Sequence, residues 1–203
     1  MLAPDQRAAP DQSLPDAKRL LRAQVLARRD ALDLPTRQRH SQAITQQLLN
    51  LPEYRAASVV AAYASFGSEF DTTAFLTDIL ASNKRLLLPR VERVPKRLVL
   101  REVADMKIDL QPGVWGIREP AQHCPLAQPS VANFVLVPAV AMTARGERLG
   151  YGGGYYDRLL VEMGSGVIRV AAGYTVQLRG SLPTGPHDLA VDVVLTEEEL
   201  FRR

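Results

Sequence analysis

Apolar positions along this chain recur with two alternating periods. Over residues 16–32, DAKRLLRAQVLARRDAL, Leu21, Val25 and Leu32 fall at helical spacing while Lys18, Arg22 and Arg29 run beside them. The pattern predicts a helix with a cationic edge. A second helix is predicted after LPT at 34–36, where Ile44, Leu48 and Leu51 recur at i, i+4 and i+7. A third follows in FDTTAFLTDILASN, with Asp71 in a capping position before Phe75, Leu76, Ile79 and Leu80. Between and after these helices lie short runs bounded by Pro, Gly or Asn: ASVVAAYAS, KRLLLPRV, RLVLREV, NFVLVPAV, VIRVAAGY and VDVVLT. Each reads as a strand.

Several of these strands are apolar on both parities, which a sheet open to water on one side would not tolerate. The predicted fold class is therefore α/β, a three-layer α/β/α sandwich with a largely parallel central sheet. Residues 1–15 are rich in Pro, Ala, Asp and Gln with no apolar period and read as a flexible extension. Residues 16–203 form one domain without internal repeats. In such sheets ligands bind beyond the carboxyl ends of the strands. The strand NFVLVPAV runs into AMTARGERLGYGGGYYDRLL, so a glycine-rich loop stands where a ligand is expected.

Composition narrows the function classes. With 46% hydrophobic and 23% charged residues the chain has the balance of a globular domain. No apolar run approaches the roughly 18 residues that cross a bilayer, and the first residues lack the layout of a secretory signal. A cytoplasmic protein with no membrane partner is expected. Cys124 is the only cysteine, so no internal disulfide forms, and no Cys/His group has the spacing of a structural zinc site. The net charge of +3 falls short of the concentrated basic stripe of a nucleic-acid binder and suits a small anionic ligand.

In the loop, Gly150, Gly152, Gly153 and Gly154 expose successive backbone N–H groups, and a helix starting near Tyr155 adds its positive end. Together these make an anion nest, to which Arg148 adds a guanidinium. The competing reading is a turn with only a structural purpose. The loop is neither a Walker sequence nor a dinucleotide fingerprint. Asp157, one turn into the helix, either complements the helix dipole or serves magnesium, which favours one or two carboxylates plus phosphate oxygens. Asp188 in LPTGPHD offers a second carboxylate, and Asp192 reads as a solvent-facing strand residue. His187 and Cys124 receive no catalytic assignment.

The segment RLGYGGGYYDRLL, preceded by VLVPAVAM and followed by LPTGPHD, resembles the 5-formyltetrahydrofolate cyclo-ligases, also called 5,10-methenyltetrahydrofolate synthetases. KRLLR near the start, AYASFGSEFDT, LLLPRV and PGVWGIREP arrive in the family's order, and the resemblance spans roughly residues 17–199. It implies ATP binding by Lys18, Arg19, Leu20, Leu21 and Arg22, and by Arg148, Leu149, Gly150, Tyr151, Gly152, Gly153, Gly154, Tyr155 and Tyr156. It implies folate contacts from Glu69, Trp115, Tyr151, Gly152, Gly153, Gly154 and Tyr155. Asp157 and Asp188 match magnesium-associated aspartates, and Arg148, Tyr155 and Asp157 are the implied catalytic residues.

The implied reaction is the ATP- and Mg2+-dependent closure of 5-formyltetrahydrofolate, with or without a polyglutamate tail, to 5,10-methenyltetrahydrofolate by a monomer. The formyl oxygen is phosphorylated, N10 attacks the formyl carbon, and phosphate leaves. Such chemistry needs positioning and charge neutralisation more than a protein nucleophile. Two departures are visible: Met142-Thr143 stand where the family usually has Phe-Asp, and the glycine loop carries no Lys or Arg. Two other readings stay open at this point, a phosphate-sugar or CoA-related enzyme of similar architecture and a non-catalytic RNA-binding relative.

Overall fold

A computed structural model of the chain describes residues 13–203. Most of the expected extension, residues 1–12, lies outside the described residues, whereas 13–15 already belong to the first helix. That helix, α1 (Ser13–Asp30), is followed by α2 (Leu34–Asn50) and a short α3 (Pro52–Ala56). The sheet strands then begin with β1 (Val59–Ala61), followed by α4 (Thr73–Ala81), β2 (Arg85–Glu92) and β3 (Arg97–Val103). A small hairpin, β4 (Leu110–Pro112) and β5 (Arg118–Pro120), precedes β6 (Leu126–Ala127) and β7 (Phe134–Val137). A second small ribbon, β8 (Ala141–Met142) and β9 (Arg148–Leu149), leads into α5 (Tyr155–Met163). The chain closes with β10 (Ile168–Ala172), β11 (Val193–Leu195) and β12 (Leu200–Arg202).

The main sheet has the order β12-β11-β10-β7-β1-β2-β3-β6. Its pairings from β11 across to β2 are all parallel, and the outer pairings β11/β12, β2/β3 and β3/β6 are antiparallel. Every residue of β1, β7 and β11 is buried, as strands covered on both faces require. One parity, including Val60, Leu86, Leu88, Phe134, Leu136 and Val170, packs under α2, α3 and α4 through Ile44, Leu48, Tyr54, Phe75 and Ile79. The other, including Val59, Ala61, Leu87, Val135, Val137 and Ala171, packs under α5 through Leu159, Leu160 and Met163. The three predicted layers are present, each fully buried large side chain contributing about 1.5–3 kcal/mol.

Two features place the site. Strand β1 is followed by β2 on one side and then, after the antiparallel excursion through β3 to β6, by β7 on the other. The strand order thus reverses between β1 and β7, the place where open α/β sheets hold ligands. Helix α1 does not cover the sheet but packs Val25, Leu21 and Leu26 on Val140, Ala141, Leu149 and Leu182. Its polar edge is thereby held against the β8–β9 ribbon and the loop that follows it.

Asp71 does act at the start of α4, its Oδ1 accepting the Thr73 N–H at 2.9 Å, although Thr72 is the helix N-cap. Asp192, expected to face solvent, is half-buried: its Oδ2 accepts the Arg169 N–H at 2.8 Å and ties β10 to the entry of β11. Among the described residues no helix is long and apolar enough to cross a membrane.

Candidate functional site

Beyond the carboxyl ends of β1 and β7, where Tyr63, Ala64 and Pro138 sit, opens a cleft of about 950 Å³. Its floor is the glycine loop. Gly152 and Gly154 hold left-handed conformations at φ 97 and 65, which side chains with a Cβ adopt only under strain. Gly153 is constrained differently, since a Cβ there would stand 2.7 Å from Tyr155 Cδ2. Gly154 caps α5 without any side-chain bond to its first turn. The opening N–H groups and positive end of this helix are therefore available to an anion beside the loop.

Arg148 is the most enclosed charge of the cleft, its side chain 3% exposed and its guanidinium bonded to Asp157 Oδ1 at 2.6 Å. Burial lowers its pKa while the charges of Asp157, Tyr156 and Asp188 raise it. Its buried Nε has no hydrogen-bond partner, an omission that costs free energy unless a ligand supplies the acceptor. The Tyr156 hydroxyl is likewise buried without a partner, and burial pushes its pKa up.

Helix α1 supplies the facing wall. Lys18 Nζ meets Asp188 Oδ2 at 2.5 Å and Arg22 Nε donates to the Gly150 carbonyl at 2.7 Å. Asp188 also accepts the Gly185 N–H at 2.6 Å. Burial pushes the Asp188 pKa up, but the Lys18 bond, the Gly185 N–H and the Lys18 and Arg148 charges outweigh it, and the net direction is down. Residues between Lys18 and Arg22 point elsewhere, as 100° per residue dictates. Arg19 is 79% exposed and paired with Asp16, Leu20 is exposed, and Leu21 packs on the Val25 cluster. Those three expected nucleotide contacts do not reach the cleft, while Leu14 and Pro15, from the expected flexible extension, line it.

A buried network forms the other end. Tyr151 donates to Glu69 Oε1 at 2.8 Å, Arg29 Nη2 donates to the Tyr151 hydroxyl at 3.0 Å, and Arg29 Nε donates to Ser68 Oγ at 2.8 Å. The Phe66 N–H reaches Glu69 Oε2 at 3.1 Å. Burial raises the Glu69 pKa against the opposing pull of the Tyr151 and Phe66 bonds and the Arg29 charge. Arg29, expected only as part of a cationic edge, is itself buried with Nη1 unpartnered.

The roof comes from the β4–β5 hairpin, whose PGVWGIREP motif the resemblance had singled out, and from Lys96, which no sequence motif marked. Trp115, at the tip of the β4–β5 hairpin with φ 60, is 68% exposed. It stands edge-on to Tyr155 at 6.2 Å. A core position for this Trp is excluded. Lys96 lies over the Tyr155 ring at 5.3 Å and also lines the cleft. The fold thus gathers Lys18, Arg22, Glu69, Trp115, Arg148, residues 149–157 and Asp188 around one volume. His187 does not line it, and the Met142 side chain is buried in the core.

A glycine loop beyond the end of a parallel strand, a cleft at the switch point and facing cations are the architecture of a small-molecule α/β enzyme. The model of the 5-formyltetrahydrofolate cyclo-ligase family matches residues 15–197, and the chain belongs to that family of ligases. It is 34% identical over 76% of its length to 83% of the 5-formyltetrahydrofolate cyclo-ligase of Haemophilus influenzae. It is 31% identical to that of Mycolicibacterium smegmatis, with 90% and 94% of the two chains covered. Among solved structures, 5,10-methenyltetrahydrofolate synthetase from Aquifex aeolicus superimposes with a TM-score of 0.81 at 35% identity, covering 91% of this chain and 92% of that one.

Proposed function

We propose that the protein closes 5-formyltetrahydrofolate to 5,10-methenyltetrahydrofolate at the expense of ATP, with ATP phosphates on the glycine loop and folate between Glu69 and the Trp115 hairpin. The observation that carries the reading is Arg148: a buried guanidinium with a free Nε, opposite Lys18 and Arg22, beside an uncapped helix N-terminus. Asp157 already pairs with Arg148 through Nη2, so what the site lacks is an acceptor for the buried Nε, which a phosphate oxygen supplies.

In this reading the chain supplies charge and position. Lys18, Arg22 and Arg148 hold the nucleotide phosphates, and the loop N–H groups orient the terminal one toward the formyl oxygen. Transfer forms an O–P bond and releases ADP. The formyl carbon becomes electrophilic enough for N10, whose attack closes the ring; N10 gives up its proton to solvent, and the C–O bond then breaks as phosphate departs with its electron pair. Glu69, fixed by Tyr151 and the Phe66 N–H, is aimed at the folate end and accepts hydrogen bonds from it. Tyr155, under Lys96 and edge-on to Trp115, forms an aromatic surface for the flat rings.

Magnesium fits the same geometry. Asp157 and Asp188 each keep one carboxylate oxygen without a hydrogen bond among the described residues, and both line the cleft. When bound there with phosphate oxygens, the ion would neutralise charge on the transferred group. The test is direct: protein, 5-formyltetrahydrofolate, ATP and magnesium should develop methenyl absorbance. Equal absorbance without ATP would overturn the nucleotide-driven route.

A further inference from the structure

Away from the cleft, the structure brings together three metal-binding groups that sequence spacing does not reveal. Asp109 immediately precedes β4, and His123 and Cys124 follow β5, so pairing of the two strands delivers all three to the base of the hairpin. A carboxylate oxygen of Asp109, an imidazole nitrogen of His123 and the Cys124 sulfur lie within 4.8 Å of one another. From sequence, no Cys/His group has the spacing of a structural zinc site. The third donor comes from a carboxylate 14 positions from His123.

The surroundings hold these groups in place. Asp109 Oδ2 accepts the Ala104 and Asp105 N–H groups at 2.8 and 2.9 Å, which turns Oδ1 toward His123 Nε2 at 2.9 Å. Arg101 donates to the carbonyls of Gln122 and Cys124 at 2.9 and 2.6 Å, and the Ala121 N–H donates to the Asp109 carbonyl at 2.7 Å. The ligand-bearing turn is thus clamped on both sides of His123. Cys124 is 2% exposed, and among the described residues its thiol makes only one long hydrogen bond, 3.6 Å, to the Asp109 carbonyl. His123 is 60% exposed and leaves the cluster open to solvent on one side.

We propose that Asp109, His123 and Cys124 form a three-ligand zinc site whose fourth position is taken by water. Thiolate, imidazole and carboxylate in one set select a borderline-soft divalent ion over magnesium. Donors of a tetrahedral zinc stand roughly 3.3–3.8 Å apart, given metal–ligand distances of about 2.0–2.3 Å. Rotation of the exposed His123 side chain supplies most of the adjustment. Binding breaks the Cys124 S–H bond, forms the sulfur–metal bond and releases the proton to water. The ion joins the two ends of the hairpin whose tip carries Trp115, so metal at the base stiffens a segment of the cleft roof.

Cobalt(II) titration of metal-free, full-length protein tests this. Because Cys124 is the only cysteine, a sulfur-to-cobalt charge-transfer band reports on this site alone. One equivalent should produce that band together with intense four-coordinate visible bands. Zinc should erase both, and millimolar magnesium should leave them. Cys124→Ser should abolish the signal. His123→Gln, at an exposed position that leaves the fold intact, should weaken cobalt binding at least tenfold and remove the zinc-induced rise in Tm expected of wild type. Absence of the band in wild type, or an unchanged affinity in His123→Gln, would overturn the proposal. Asp109→Asn, which also loosens the turn at 104–105, is informative only beside the melting curve of the metal-free protein.

Discussion

Arg148 and Asp157 share a 2.6 Å ion pair in which the guanidinium is almost wholly enclosed and the carboxylate is 29% exposed. Asp157 therefore has two possible partners, the buried cation on one oxygen and a metal ion on the other. The same residue read from sequence alone was a choice between helix dipole and magnesium, and the ion pair is a role neither reading contained.

The Asp157→Asn variant separates these roles. If the carboxylate serves magnesium on the ATP phosphates, turnover falls and the magnesium concentration for half-maximal rate rises; Tm falls as well, because the enclosed Arg148 loses its countercharge, so the magnesium profile and not Tm carries the distinction. A helix-dipole role alone contributes about 0.3–1 kcal/mol and would leave turnover intact. A magnesium titration of both proteins, with melting curves alongside, decides it. A wild-type magnesium profile in the variant would move the metal assignment to Asp188.

Arg22 reaches the loop through the Gly150 carbonyl and lies against Gly152, where a Cβ would stand 3.2 Å from its Cζ. Removing it should weaken a charged phosphate contact of about 1.5–3 kcal/mol. Arg22→Ala is expected to raise the KM for ATP by roughly 10- to 100-fold and that for folate far less. Steady-state kinetics with each substrate varied checks this, and an unchanged ATP KM in a folded variant would take α1 out of the nucleotide site.

Gly152→Val and Gly153→Val should both lose activity for different physical reasons. Gly152 at φ 97 imposes a backbone strain of about 1 kcal/mol or more on a side chain and pushes on Arg22. Gly153 has no positive φ, so its variant should keep more of its stability while displacing the Tyr155 ring. The expected signature is a larger Tm drop for Gly152→Val, with turnover lost in both. Full turnover in either would make that glycine an ordinary turn residue.

Glu69 and Asp188 predict opposite pH behaviour. The folded pKa of Glu69 is raised by burial, so its contribution to stability is greatest in acid and declines as pH rises from the ordinary carboxylate range through that raised value. Glu69→Gln should therefore gain stability relative to wild type over that interval. Asp188 is net lowered, so its contribution is present above the ordinary carboxylate pKa and disappears as pH falls through the lowered value. Thermal melts of wild type, Glu69→Gln and Asp188→Asn across acid to neutral pH should show the two differences with opposite slopes.

How far the sequence reaches follows from chain distance. The glycine loop is contiguous with α5 and is found by composition alone; Lys18 and Arg22 lie four apart on one helix, so periodicity shows a cationic edge, and only the family resemblance directs that edge to a nucleotide. The burial of β1, β7 and β11 on both faces was likewise legible because each strand is an unbroken apolar run. The Tyr151–Glu69–Arg29 network joins segments 82 and 122 positions apart, and no local pattern announces it. Arg19, Leu20 and Leu21 were carried into the site by a contiguous motif although helical geometry turns them away. Strands β4, β5, β6, β8 and β9 are only two or three residues long, too short for a two-residue period to register. The hairpin that brings Trp115 to Tyr155, and Asp109 to Cys124, was consequently invisible.

If the folate rings enter beneath the hairpin as proposed, Trp115 offers an internal reporter of their binding. It is the only tryptophan, is 68% exposed and stands 6.2 Å from the Tyr155 ring, so its emission in the free protein should be that of a solvated indole. A flat ring system entering between Trp115 and the glycine loop removes water from one face of the indole and stacks near it. Addition of 5-formyltetrahydrofolate without ATP should therefore shift the emission to the blue and quench it saturably. Tyr155→Leu should weaken the response by raising the concentration needed for half-saturation, because the aromatic surface opposite the indole is lost, a contact of about 0.5–1.5 kcal/mol. ATP alone, bound at the α1 side, should leave the spectrum nearly unchanged. Folate binding measured calorimetrically with no change in Trp115 emission would place the rings elsewhere in the cleft and return the hairpin to a purely structural role.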